Sequence, residues 1–182
     1  MEESLHYRTC DISPLRDIVG TFALVLEKRH YVSGDVPGYV IRNILEQLRN
    51  QEVDVKEKSE YHTTVLFPKF SKGKPCFSLQ HAADSMERDP PKTKKEVQEL
   101  LIAFVKEHPE IHCTIGDHLV ITENGELCAI EIFILNKDFP HEPKKVYHIT
   151  LWSNSNIPSC APVMSNTYLQ DAKRNSTKAS DE

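Results

Sequence analysis

Asn124-Gly125 stands between two runs dense in β-branched and other apolar residues, His118–Glu123 and Glu126–Leu135. Asn-Gly readily takes the positive dihedrals of a type I′ turn, so the spacing predicts an antiparallel hairpin of well-defined register. A hairpin of this length has an apolar face to bury. It therefore needs more strands beside it or helices across it.

The rest of the chain offers both. Thr21–Glu27 reads as a strand, and Gly34 to Gly38 as a turn region. Val40, Ile41, Ile44, Leu45 and Leu48 then fall at helical spacing and predict a helix over 39–49. A second helix over 94–107 carries Val97, Leu100, Leu101, Phe104 and Val105 on one stripe and is stopped by Pro109. Glu60–Phe67 and Val146–Trp152 read as strands. The polar stretch 68–95, with Gly73, Pro75, Pro90 and Pro91, reads as a variable surface loop with local helical turns. Residues 153–169 are expected to form a closing loop with room for one short strand. The expected division is an N-terminal extension over 1–20, one domain over 21–169 and a disordered tail over 170–182.

Composition narrows the function. A chain of 182 residues is long enough for one sizeable core and short for two. Its formal charge of −5 disfavours coating of long nucleic-acid tracts, which needs clustered Lys and Arg, but leaves room for one or two phosphates. Lys69, Lys72 and Lys74 make a short basic loop that reads as solvated surface. The five cysteines form no CxxC pair and are odd in number, so they read as reduced thiols of a cytoplasmic or nuclear protein. No apolar run reaches transmembrane length, and no membrane partner is expected. HExxH, the P-loop and the adenylating-ligase signature are all missing, so neither metal nor cofactor is expected.

The chemistry sits in two of the strands. Tyr61-His62-Thr63-Thr64 and Tyr147-His148-Ile149-Thr150 each space a histidine and a threonine two residues apart. Side chains two apart on a strand share a face, so two imidazoles and two hydroxyls could converge on one anion. A third triplet, His112-Cys113-Thr114, lies too near the second in sequence to leave room for a helix and a hairpin between them. The outer pair is taken as the site. The order of elements, strand, helix, His/Thr strand, then helix, hairpin, His/Thr strand, implies two similar halves.

These motifs, their order and the hairpin between them resemble the two-histidine phosphoesterase superfamily. Within it the likeness is strongest to 2′,3′-cyclic-nucleotide phosphodiesterases and the cyclic phosphodiesterase domain of fungal-type tRNA ligases. The His148-Ile149-Thr150-Leu151 run matches the HITL form of that branch, and the resemblance spans about residues 21–169. It implies an α+β fold: two pseudo-symmetric lobes of antiparallel sheet, helices packed outside and a central cleft. It also implies a metal-independent phosphoric diester hydrolase of RNA processing, repair or tRNA splicing. Such an enzyme opens 2′,3′-cyclic phosphates at RNA ends or on nucleotides to 2′-phosphates, and a monomer is expected.

In that reading His62 and His148 are the catalytic proton-transfer pair, and Thr64 and Thr150 bind the phosphate. Imidazole titrates near neutrality, so one ring can take a proton from water while the other gives one to the leaving ribose oxygen. Which is base and which acid stays open at this level. Relatives commonly carry Gly after HITL where this chain has Trp152, whose ring could stack on a base or pack under a loop. Two rival functions remain: an inactive RNA-end binding module and a 2′,5′-oligoadenylate phosphodiesterase.

Overall fold

In the computed structural model, which describes residues 6–28, 30–67, 70–71, 74–75, 77–142, 145–153 and 161–180, helices are interspersed among the strands along the chain. They are Tyr7–Thr9 (β1), Val19–Glu27 (β2), Tyr31–Asp35 (β3), Gly38–Asn50 (α1) and His62–Leu66 (β4). The short pair Phe70–Ser71 (β5) and Lys74–Pro75 (β6) follows, then helices Phe77–Ser85 (α2) and Lys94–Glu107 (α3). Glu110–Thr122 (β7), Leu127–Ile134 (β8), His148–Ser153 (β9) and helix Ala161–Ser180 (α4) complete the fold.

Every pairing in the main sheet is antiparallel, in the order β4-β3-β2-β7-β8-β9, with β1 also on β7. The order reads as two halves meeting at β2 and β7. Each half is a hairpin, β2–β3 or β7–β8, with a His/Thr strand added at its outer edge. The sheet curls until those two outer strands meet, where the Thr63 hydroxyl donates to the His148 carbonyl at 2.6 Å. The fold class is α+β, a nearly closed antiparallel sheet with a central cleft and helices on its faces.

One face holds the main core. Phe22 and Leu24 of β2, Val65 of β4, Ile111 and Cys113 of β7, Ile130 and Ile132 of β8 and Ile149 of β9 meet the stripes of α1 and α3 there. Leu79, Ala82 and Ala83 of α2 join them. Gly20 permits this packing, because a Cβ at that position would sit 2.9 Å from Cγ2 of Val40 on α1. Thr93 caps α3 by accepting the Glu96 N–H at 3.2 Å. On the opposite face α4 lies across β7–β9 in a smaller cluster of Val120, Leu127, Ala129, Val146, Leu169 and Ala172.

Several expectations are corrected. Tyr31–Asp35 is a strand, not part of a turn: Gly34 pairs with Leu24 and Thr63, leaving space that a larger side chain would fill. β7 begins at Glu110 rather than His118, because Gly116-Asp117 forms a bulge within one long strand instead of a break. The hairpin turn is not type I′. Gly125 has φ +74, but Asn124 keeps a negative φ while its side-chain oxygen accepts from Glu126 N and the Thr122 hydroxyl. Residues 77–85 of the expected loop form a helix. The N-terminal extension contributes β1, and the expected tail continues α4 to Ser180, anchored by Leu169, Ala172 and a Tyr7 hydroxyl bond to Asp171 at 2.7 Å.

Candidate functional site

Register decides which way each motif faces. On β4 Thr63 pairs with Gly34, which pairs with Leu24 of the main core, so Thr63 points toward that core. His62, opposite Asp35, and Thr64, opposite Ser33, therefore point the other way. On β9 Ile149 pairs with core Ile130, so His148 beside Glu131 and Thr150 beside Ala129 also take the far face. Followed through the continuous sheet, all four motif side chains lie on one face, on two strands that touch at Thr63 and His148.

The two motifs differ in cover. His62 is exposed and Thr64 half-buried. His148 and Thr150 are half-buried, on the side of the sheet that α4 crosses. The Thr150 hydroxyl lies 3.0 Å from that of Ser165 on α4, which is 0% exposed. Burial pushes the His148 imidazole down to about 4, against a smaller upward pull from its backbone hydrogen bond. The ring is thus neutral at pH 7. Its Nδ1 lies 2.9 Å from the Val146 carbonyl, which as an acceptor requires the proton on Nδ1 and leaves a lone pair on Nε2.

The approaches to the two motifs share a construction. The Tyr61 hydroxyl accepts the Lys58 N–H at 2.7 Å, and Lys58 Nζ stands 5.2 Å from the Tyr61 ring centroid. The Tyr147 hydroxyl accepts the Glu142 N–H at 3.0 Å, with Lys145 Nζ 4.9 Å from its ring. Each motif thus begins with a tyrosine whose hydroxyl ties down the preceding loop and whose face carries a cation. Lys58 also donates from Nζ to the Thr150 carbonyl at 2.9 Å, and burial lowers its ammonium's affinity for the proton.

Trp152 departs from the stacking role. It is 3% exposed within the main core, and its Nε1–H donates to the Gly125 carbonyl at 2.9 Å. A bulge between Cys128 and Ala129 shifts the β8–β9 register, so the ring packs against the hairpin end and offers no free face to a base. The third triplet lies on central β7, where His112 meets the Thr21 hydroxyl at 3.1 Å and Thr114 donates to the Arg16 and Ile18 carbonyls. Lys69 and Lys72 lie outside the described residues.

Sequence reasoning missed four groups beside the motifs. Thr63, Lys58 and Ser165 each bond to the second motif directly. Glu131, the cross-strand neighbour of His148, is 1% exposed and binds Asp117 N–H at 2.9 Å, His118 Nδ1 at 3.4 Å and Lys173 of α4. Gly116 in the bulge leaves room for this side chain, since a Cβ there would lie 2.5 Å from Glu131 Cγ. The recurring Lys/Tyr pair ahead of each His was the readable signal for Lys58. Nothing local marks Ser165 or Glu131.

The fold and site define an α+β protein with paired His/Thr strands on one sheet face. No protein-family model, curated protein or solved structure matches the chain closely enough to show a relative. Among the described residues no helix is long and apolar enough to cross a membrane, and no group of three His, Cys, Asp or Glu is arranged around a metal position.

Proposed function

We propose that the chain hydrolyses 2′,3′-cyclic phosphates, at RNA ends or on nucleotides, using His62 and His148 as its proton-transfer pair. The observation that carries the reading is the common face: two strands far apart in sequence lie against each other with both imidazoles and both motif threonines on one side of the sheet. Neutral His148, with its lone pair on Nε2, suits the role of base, and its basicity rises when an anionic phosphate binds beside it. His62, open to water, is left to supply the proton.

In this mechanism His148 Nε2 takes a proton from water as the water oxygen bonds to phosphorus. The bond from phosphorus to the 3′ oxygen breaks, and that oxygen receives the proton from His62, giving a 2′-phosphate. Thr64 and Thr150 stabilise the charge gathering on the nonbridging oxygens. Ser165 can donate to Thr150 while leaving Thr150's own proton for the phosphate. The choice of the 3′ oxygen follows the family resemblance.

The cover of α4 over Thr150 favours one alternative, a module that binds cyclic-phosphate ends without turnover. Incubation with 2′,3′-cyclic AMP and with an RNA oligomer ending in a cyclic phosphate, in EDTA, separates the two. Hydrolysis is expected to continue in EDTA, and His62→Ala or His148→Ala should each reduce it about a hundred-fold or more. Binding without product supports the alternative. Undiminished turnover in both variants sinks the histidine mechanism.

A further inference from the structure

The two motif strands are neighbours without a ladder. Among the described residues no backbone pairing joins β4 to β9, although every other adjacent pair in the main sheet is bonded through its backbone. Edge strands left in this state carry a row of unsatisfied carbonyls. On β9 the carbonyls of His148 and Thr150 are two residues apart, so they point toward the same edge. Each takes a side-chain donor from the β4 side: the Thr63 hydroxyl at 2.6 Å and Lys58 Nζ at 2.9 Å.

Both donors are held in place for this. Thr63 is 1% exposed on the core-facing side of β4, and its methyl packs where Gly34 leaves room. Lys58 is held by its own N–H bond to the Tyr61 hydroxyl and by the Tyr61 ring. A sheet closed by side chains can be tuned without disturbing the backbone register of either half.

We infer that Thr63 and Lys58 are positioning residues of the site: their side chains, in place of a backbone ladder, hold β9 against β4 and so keep His148 on the face it shares with His62. The inference rests on the proposed hydrolysis for its functional meaning, but the seam has its own readout. The titratable groups on the elements packed against His148 include Glu131 on β8, Lys173 on α4, His62 on β4, and Lys145 and Lys58 in the approach loops. None of them is altered in Thr63→Val, which keeps the shape of the side chain and removes only the donor.

The test follows the His148 imidazole by NMR titration in the wild type, Thr63→Val and Thr63→Ser. Loss of the donor should loosen the β9 edge, admit water to the ring and raise its midpoint by at least one pH unit, and Ser should restore it. A smaller rise in Thr63→Val, or none, overturns the inference. In parallel, kcat on the cyclic-phosphate oligomer should fall at least ten-fold in Thr63→Val and in Lys58→Met. KM should stay within three-fold, and Thr63→Ser and Lys58→Arg should recover most of the rate. A loss confined to KM would instead make these residues substrate contacts and overturn the positioning role. A wild type without turnover would end the hydrolase reading, and the titration alone would then decide the seam.

Discussion

The first and second motifs have nearly the same local sequence and opposite surroundings. His62 stands in water at the open end of β4, whereas His148 sits on the face crossed by α4, beside a buried carboxylate, with its charge suppressed by burial. Equivalent strands need not give equivalent histidines. What separates the two is the third layer, present over β7–β9 and missing from the first half among the described residues. In the proposed mechanism this unequal cover is what sets the neutral, buried His148 apart from its counterpart in a repeated motif.

The largest way to break this asymmetry is at Glu131. Replacing it by Ala removes the buried carboxylate shared by the Asp117 N–H, His118 and the partly exposed Lys173, and should cost about 2 to 3 kcal/mol in chemical denaturation. A loss below about 1 kcal/mol would mean that α4 is held by its apolar contacts alone. Loss of the Glu131 carboxylate should also loosen the helix first, seen as early hydrogen exchange in α4.

A smaller effect is expected from pH. Because the folded His148 titrates near 4 and the unfolded ring near 6.5, both states are neutral above about 6.5 and the residue adds no slope there. Between 6.5 and 4 the unfolded chain binds a proton that the fold refuses, so stability falls as the pH drops. With allowance for the ring's partial contact with water, the loss is about 2 kcal/mol. Urea titrations at pH 7 and pH 4.5 should show it in the wild type and show that much less in His148→Gln. An equal loss in both would place the acid sensitivity elsewhere.

The smallest effect sharpens the contrast from the other side. His62→Ala should change stability by no more than about 0.5 kcal/mol, since the ring is exposed. A fall of 1 kcal/mol or more in its melting free energy would show that the first motif is also structural.

Much of the frame was legible from periodicity. The stripes of α1 and α3, the strands β2, β4 and β9 and the hairpin around Asn124-Gly125 carry their own apolar spacing, and α3 lies where its stripe and Pro109 put it. β3 escaped because Ser33-Gly34-Asp35 has the composition of a turn; only its place between β2 and β4 makes it a strand. α4 escaped for a related reason. Its contact face sets Leu169 among small and polar residues, Ser165, Asn166 and Ala172, which suit close approach to the sheet and give little apolar periodicity. Trp152 was visible as an unusual residue, but whether its ring met solvent or core depended on a bulge in the neighbouring pair.

By itself the sequence determined the presence of two His/Thr strands, the alternation that puts each His and its Thr on a common face, and the helices and hairpin around them. Those are local properties, set by spacing along one strand or one helix. Only the tertiary structure decided that β4 and β9 meet, that Thr63 and Lys58 join them, and that one imidazole is covered while the other is open. Contacts between residues far apart in the chain depend on how the whole sheet curls, and no window of sequence contains that curvature.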